Sequence, residues 1–176
     1  TKQKYGIDYA ISTNTAIFSY DIEKGTTTNL TEGMKGYDLN PLYNKKRDLA
    51  WLSMKRDGYE ADKQDLVVSN GISTINLTGQ RDDINVEGFK WSDDDKTLFF
   101  WAPINGTLQL FSVNYPGNSK MLPVIRQITK GDFDITGIIG QTRDNLIVSR
   151  TDMNHAAEIY SVEINTGNMK PVSYTH

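Results

Sequence analysis

Apolar and polar residues alternate along most of this chain in short segments that are bounded by Gly, Asn, Asp or Pro. The segments are about four to seven residues long and rich in Val, Ile, Phe, Tyr, Trp and Thr, which favour strands. No stretch shows the 3.6-residue periodicity of an amphipathic helix. The pattern therefore predicts an all-β protein.

The strand-like segments recur with a common period. One series reads IFSYDI, LVVSNG, LFSVNY and IYSVEI, and a second, preceding it, includes LAWLSM, LFFWAP and LIVSRT. A third series follows these two and reads TTTNLT, ISTINLT, VIRQIT and MKPVSY. A weaker fourth series comes before the LAWLSM type in each repeat and reads LNPLYN, VEGFKWS and ITGIIGQ. The period of about 42 to 49 residues is typical of propeller blades. We predict a β-propeller segment of about three and a half to four four-stranded antiparallel blades, with strands A, B, C and D in chain order.

The repeats divide the chain into four predicted blades. An incomplete blade, which lacks strand A, covers residues 1–36, and complete blades cover 37–85, 86–134 and 135–176. Closed propellers have typically about 4 to 8 blades. We therefore expect either a longer propeller or an arc of blades completed by other chains, since unpaired blade faces favour oligomers.

The connections within a blade are short and polar, as antiparallel hairpins require. Asp93 to Asp95 lie in one of them, and three carboxylates in a row could bind calcium. The ligand spacing and the distal Glu of an EF-hand are absent, so a hairpin turn is favoured. We expect a structural role for the Asn and Thr of the two NLT sequences that end at Thr31 and Thr78.

Composition narrows the possible partners. The chain has 19 basic and 22 acidic residues and a net charge of −3. It therefore lacks the excess of positive charge that is typical of proteins that bind nucleic acid or an anionic membrane. No run approaches the roughly 20 apolar residues that span a bilayer. Cysteine is absent, and no Gly-rich phosphate-binding loop precedes a helix. We expect no nucleic acid, membrane, metal or cofactor.

Catalytic motifs are also missing from the sequence. No serine stands in Gly-X-Ser-X-Gly, the turn that exposes the nucleophile of an α/β-hydrolase. His155 and His176 are the two histidines, and His155 is expected to be a solvated loop residue. We therefore assign no catalytic residue to this chain.

The polar stretch SMKRDGYEADKQDL, from Ser53 to Leu66, contains the longest connection between predicted strands B and C. In an up-and-down blade this connection emerges on the same rim as the D-to-A connections. That rim is expected to collect Arg56, Asp57, Glu60, Asp62, Arg81, Asp82 and Asp83. Long loops on one rim of a rigid scaffold often carry function, but a solvated hairpin with internal ion pairs remains an alternative.

Three stretches carry a family resemblance: AISTNTAIFSYDIEKGTTTNLTEGMKGYDLNP, LAWLSMKRDGYEADKQDL and FKWSDDDKTLFFWA. They resemble the N-terminal propeller of the prolyl oligopeptidase family of serine peptidases, nearest to the bacterial dipeptidyl peptidase and acylaminoacyl-peptidase branch. The likeness is strongest at RDGYEAD. This sequence departs from the family pattern at the turn between strands A and B. In the family that turn is usually Ser-Pro-Asp-Gly, whereas here it reads YNKKRD and WSDDDKT.

The resemblance implies a non-catalytic propeller that gates and positions short peptides for an α/β-hydrolase domain, which this sequence does not contain. It also implies a periplasmic or secreted location. Dipeptidyl peptidases hold the substrate amine with acidic propeller residues, so Glu60, helped by Arg56, is the expected pair contacting the amine or a carbonyl group. The alternative is a stand-alone propeller that serves as a binding or scaffold protein of the cell envelope.

Overall fold

Strands and tight turns make up nearly all of the regular structure in the computed structural model, which describes residues 2–3, 7, 12–117 and 123–172. The chain divides into two units, Thr1–Gly79 and Gln80–His176. Within the described residues, no helix is long and apolar enough to cross a bilayer.

The first unit contains two short two-stranded sheets and one four-stranded sheet. The short sheets pair β1 with β2 and β3 with β4, and the larger sheet has the order β5-β6-β7-β8, all antiparallel. Their bounds are Lys2–Gln3, Thr15–Ala16, Phe18–Asp21, Thr26–Asn29, Asp38–Tyr43, Leu49–Ser53, Asp65–Ser69 and Thr74–Asn76 for β1 to β8.

The second unit contains two four-stranded antiparallel sheets, each built from strands that are consecutive in sequence. The first is β9 to β12 and the second is β13 to β16. Their bounds are Gly88–Trp91, Thr97–Ile104, Thr107–Asn114, Ile125–Gln127, Asp134–Gln141, Asn145–Asp152, His155–Glu163 and Met169–Pro171.

The all-β fold with repeated four-stranded antiparallel sheets is confirmed. Three sheets follow the predicted A-B-C-D order, because each strand pairs with the next along the chain. In the first repeat, the predicted strands C and D correspond to β3 and β4. Its predicted strand B, from Ile7 to Ser12, lies outside the described residues except at its two ends.

Each unit has its own apolar cluster. In the first unit, Ile17 packs with Leu49, Trp51 and Val67 from the larger sheet. Leu49 to Leu52 are all buried, which explains why β6 reads as an apolar run and does not alternate. In the second unit, buried residues of both sheets form one layer: Phe99, Leu110, Ile128, Ile135, Leu146, Val148 and Val162. The two sheets of this unit therefore pack through their faces, as successive blades do.

A buried threonine follows the outer strand in three repeats. Thr31, Thr78 and Thr129 each accept, through Oγ1, a backbone N–H from the segment paired with that outer strand: Ile17 at 3.1 Å, Leu66 at 2.9 Å and Leu110 at 2.9 Å. The carbonyl groups of the same three residues also accept backbone N–H groups: Ile17 from Leu30 at 2.8 Å, Leu66 from Leu77 at 2.8 Å, and Leu110 from Ile128 at 2.7 Å. The hydroxyl thus continues the ladder beyond the strand end, which confirms a structural role for the threonine of NLT.

The acidic run after β9 is a hairpin turn, as predicted. Asp94 Oδ1 accepts hydrogen bonds from Ser92 Oγ at 2.7 Å and from the backbone N–H of Lys96 at 3.1 Å. The Ser92 contact is the main reason that the pKa of Asp94 lies below its usual value. Asp95 has a φ of 61°, which Asp tolerates in tight turns.

Candidate functional site

Residues 54–64, called the β6–β7 loop below, connect the second and third strands of the four-stranded sheet in the first unit. The equivalent connection between β10 and β11 comprises residues 105–106, and that between β14 and β15 comprises residues 153–154. The β6–β7 loop is the longest of these three. The prediction that the polar run is an extended B-to-C loop is therefore confirmed.

Arg56 and Asp62 brace the loop internally. Arg56 donates from Nε to Asp62 Oδ2 at 3.2 Å and from Nη2 to Oδ1 at 3.0 Å, and its backbone N–H reaches Oδ2 at 3.0 Å. The guanidinium carbon also lies 4.2 Å from the centre of the Tyr59 ring. The hydrogen bond from Arg56 is the leading cause of the lowered pKa of Asp62. Because Arg56 is exposed to solvent, this pair shapes the loop more than it stabilises the fold.

Asp57 docks the loop onto the segment that precedes β2. Its Oδ1 accepts from Ser12 Oγ at 2.7 Å and from Asn14 Nδ2. The backbone N–H of Gly58 donates to Asn14 Oδ1 at 3.2 Å, and Asn14 Nδ2 also donates to the carbonyl of Lys35. Ser12 and Asn14 are 4% and 5% exposed, so these contacts anchor the loop on a buried segment.

Glu60 lies beside two hydroxyl groups from elsewhere in the first unit. Its Oε1 accepts from Thr13 Oγ1 at 2.8 Å and from the Tyr37 hydroxyl at 3.2 Å, and the two hydroxyl groups also contact each other. Glu60 is exposed, and its Oε2 makes no hydrogen bond with any residue that the structure describes. One carboxylate oxygen of this exposed residue is thus held, while the other makes no hydrogen bond with the described residues.

The loop also follows the connection between β4 and β5. The backbone N–H of Met54 donates to the carbonyl of Tyr37 at 2.8 Å. A Cβ on Gly36 would meet the carbonyl oxygen of Met54 at 2.0 Å, so the close approach requires glycine here. The expected neighbourhood of the B-to-C loop and the D-to-A segment TEGMKGYD is confirmed.

A buried carboxyl group lies at the base of the loop. Asp38 is 1% exposed, and its Oδ1 accepts from Ser53 Oγ at 2.7 Å and from Trp51 Nε1 at 3.1 Å. Its Oδ2 is buried and has no hydrogen-bond partner among the described residues. Burial raises the pKa of Asp38, and the hydroxyls of Ser53 and Thr31 and the indole of Trp51 oppose this shift. Burial is the largest of these effects, so the pKa of Asp38 lies above its usual value.

The structure places both predicted site residues on the β6–β7 loop but gives them different partners. Arg56 is engaged by Asp62 and stacks on Tyr59, whereas Glu60 is engaged by Thr13 and Tyr37. The expected assistance of Glu60 by Arg56 is therefore not a direct contact here. Arg56 instead braces the loop that carries Glu60.

Sequence reasoning missed Thr13 and Tyr37. Neither lies in a recognisable motif, and both are far from Glu60 in sequence. The useful signal was topological, because the D-to-A segment that contains Tyr37 shares a rim with the loop. Thr13 belongs to the short B-to-C connection of the first repeat, which shares that rim as well.

The other residues expected on this rim belong to the second unit. There Arg81 pairs with Asp83, with N···O distances of 2.7 and 2.6 Å.

His155 follows a turn and its Nδ1 lies 2.7 Å from Asp152 Oδ1, with 63% of its side chain exposed. His155 is exposed, as predicted, but it is the first residue of strand β15 and not a loop residue. The described residues contain no group of three His, Cys, Asp or Glu side chains suited to a metal ion.

Two relatives match nearly the whole chain. Dipeptidyl-peptidase 5 of Porphyromonas gingivalis is 31% identical over 180 aligned positions, which cover 98% of this chain and 25% of that protein. Dipeptidyl-peptidase 5 of Porphyromonas endodontalis is 35% identical over 169 positions, which cover 95% and 24%. The chain thus spans about a quarter of the length of these relatives. No protein-family model matches it.

Solved structures with the same fold are propeller-containing peptidases and related proteins. The β-propeller domain of the Trilobed protease from Pyrococcus furiosus has a TM-score of 0.65 and 15% identity, covering 90% of this chain and 45% of that one. Pyrococcus horikoshii acylaminoacyl peptidase has a TM-score of 0.66 and 16% identity, covering 90% and 22%. TolB from Acinetobacter baumannii has a TM-score of 0.57 and 13% identity, covering 91% and 38%. These likenesses confirm the β-propeller fold.

Proposed function

Because this chain is homologous to a segment of dipeptidyl-peptidase 5 and resembles the propeller of the prolyl oligopeptidase family, we propose that it is the non-catalytic propeller portion of a peptidase. In this proposal it gates access and positions short peptides for an α/β-hydrolase domain of the same protein. The protein acts in the periplasm or outside the cell, as the resemblance implies.

The observation that carries the positioning role is the geometry of Glu60. Its carboxylate is exposed on the loop, one oxygen is held by two hydroxyl groups, and the other makes no hydrogen bond within the described residues. A carboxylate held in this way can accept a charge-assisted hydrogen bond from the ammonium group at the start of a peptide. Fixing that end of the peptide determines which bond reaches the catalytic groups.

Arg56 has a revised part in this proposal. Its guanidinium is already occupied by Asp62 and the Tyr59 ring. We assign it to bracing the loop that carries Glu60, while contact with a peptide carbonyl would require the Asp62 pair to open. The positive charge of Arg56 is largely compensated by Asp62, so it does not repel a substrate ammonium group strongly.

The alternative is a stand-alone propeller of the cell envelope, and the likeness to TolB is the observation that favours it. That likeness is at 13% identity and concerns the fold, whereas the relatives at 31% and 35% identity are dipeptidyl peptidases. A Gly-X-Ser-X-Gly sequence downstream in the gene would support the peptidase proposal. A gene that encodes no hydrolase domain would support the alternative.

The proposal is tested by Glu60→Gln in the full-length protein. The substrates are a chromogenic dipeptide anilide with a free amino terminus and the same peptide with an acetylated amino terminus. We expect the KM for the free-amine peptide to rise about tenfold, because a charge-assisted hydrogen bond is lost, while the KM for the acetylated peptide stays nearly constant.

The matched control is Glu23→Gln, which removes an equal charge from the exposed turn between β3 and β4. It should leave both KM values unchanged. Equal effects of Glu60→Gln on the two peptides would contradict the proposed role of Glu60.

A further inference from the structure

Glu60 is held by residues that are distant in sequence. Thr13 lies 47 positions before it and Tyr37 lies 23 positions before it. Thr13 precedes β2, Tyr37 lies between β4 and β5, and Glu60 is on the β6–β7 loop. Three separate parts of the first unit therefore meet at one carboxylate oxygen.

The two hydroxyl groups can donate only two protons among three contacts. Thr13 Oγ1 and the Tyr37 hydroxyl contact each other, and both also contact Glu60 Oε1. Each hydroxyl has one proton and two lone pairs. Either both hydroxyl groups donate to Glu60 Oε1, or one donates to the other, which then donates to Oε1. In either arrangement, at least one hydroxyl proton is directed at Glu60 Oε1.

Both hydroxyl groups stand on anchored backbone. Ser12 and Asn14, on either side of Thr13, are buried and bonded to the loop through Asp57. The carbonyl of Tyr37 accepts the N–H of Met54 at 2.8 Å, and Gly36 is buried against the Met54 carbonyl. The hydroxyl groups are thus better fixed than the exposed glutamate that they contact.

We propose that Tyr37 and Thr13 are positioning residues that orient Glu60 toward the ammonium group of a peptide substrate. This inference rests on the proposed function of Glu60. The hydroxyl groups hold Oε1, so Oε2 stays available and need not be reordered when a substrate binds. Removing them leaves the charge in place but allows the Glu60 side chain to sample other rotamers, which weakens binding of the amine.

Tyr37→Phe in the full-length protein tests the inference. We expect the KM for the free-amine dipeptide anilide to rise about fivefold, in line with the loss of a hydrogen bond to a charged group, with kcat changed less than about twofold. The KM for the N-acetylated peptide should not change. Thr13→Val, which removes the other hydroxyl at similar volume, should have the same selective effect and serves as a second variant if Tyr37→Phe folds poorly.

Two comparisons separate positioning from simple loop docking. Ser12→Ala removes the hydrogen bond from Ser12 to Asp57 of the loop but leaves Tyr37, Thr13 and Glu60 in place. This variant should change the KM for the free-amine peptide and the KM for the acetylated peptide by the same factor. Tyr20→Phe removes an exposed tyrosine hydroxyl on β3 and should change neither KM.

A double variant completes the test. In the Glu60→Gln background, Tyr37→Phe should add less than about twofold to the KM for the free-amine peptide, because the group that it orients has lost its charge. If Glu60→Gln is selective but Tyr37→Phe and Thr13→Val are not, the positioning role is overturned and the function of Glu60 stands. If Glu60→Gln itself is not selective, both proposals fail.

Discussion

Asp38 is the residue whose surroundings differ most from those of a typical surface carboxyl group. It is 1% exposed, and one of its oxygens has no hydrogen-bond partner among the residues that the structure describes. None of their charged side chains is bonded to it. Because burial disfavours the charged form, the pKa of Asp38 is raised above its usual value. The folded protein therefore retains this proton at pH values where the unfolded chain has released it.

The raised pKa predicts a pH-dependent contribution to stability. Between the unfolded and the folded pKa of Asp38, the folded state binds more protons, so this group's contribution to the free energy of unfolding falls as pH rises. Asp38→Asn cannot ionise, and it should gain stability relative to the wild type as the pH rises from about 4 to about 7. Urea unfolding of both proteins at several pH values measures this. A stability difference that is constant with pH would contradict the raised pKa.

At the scale of strands, the buried threonine that follows the outer strand in three repeats adds a hydrogen bond between that strand and its neighbour. Thr129 is 1% exposed, accepts the N–H of Leu110 at 2.9 Å and donates to Gln109 Oε1 at 2.8 Å. Leu110 and Gln109 are themselves buried. Loss of the Thr129 hydroxyl would thus leave the buried Leu110 N–H without its acceptor and the buried Gln109 Oε1 without this donor.

Thr129→Val should therefore lower the free energy of unfolding by about 2 kcal/mol, since buried unsatisfied groups cost more than an average hydrogen bond contributes. Thr28→Val, at an exposed position of β4, is the control and should change stability by no more than about 0.5 kcal/mol. Denaturant unfolding provides both values. Equal effects of the two substitutions would show that the Thr129 hydroxyl is not structural.

The close approach between the β6–β7 loop and the preceding segment is a second feature at this scale. Gly36→Ala would bring a Cβ to 2.0 Å from the Met54 carbonyl oxygen, so the backbone must shift at the start of the loop. We expect a loss of about 1–3 kcal/mol in unfolding free energy and faster proteolysis within residues 54–64.

The control for this substitution is Gly137→Ala in β13, where an added Cβ meets no atom within 4 Å. It should have little effect on stability or proteolysis. If Gly36→Ala is as well tolerated as Gly137→Ala, the loop is not held by this contact.

At the scale of the whole molecule, the fold was largely predictable because each blade repeats the same apolar strands and polar turns. LAWLSM, LFFWAP and LIVSRT became the second strands β6, β10 and β14 of their sheets, each of which contributes buried apolar residues. The pairing of β1 with β2 was not predicted, since strands of two residues give no measurable periodicity. Oligomer formation through unpaired blade faces remains a prediction.

The candidate site was less predictable than the fold. The β6–β7 loop could be identified from the sequence, because a long polar run between two apolar strands is typical of a surface connection. The partner of Arg56 could not be identified from the sequence, since three acidic residues lie close to it on the same loop: Asp57, Glu60 and Asp62. Backbone geometry decides among these carboxylates, and Asp62 bonds to both the side chain and the backbone of Arg56.

The proposed role of this propeller is to hold the amino terminus of a peptide for a peptidase. The most direct measurement is the ratio of kcat/KM for one dipeptide anilide with a free and with an acetylated amino terminus, in the full-length wild type and in Glu60→Gln. We expect a strong preference for the free amine in the wild type and a ratio about tenfold lower in the variant. An unchanged ratio would contradict the proposed role.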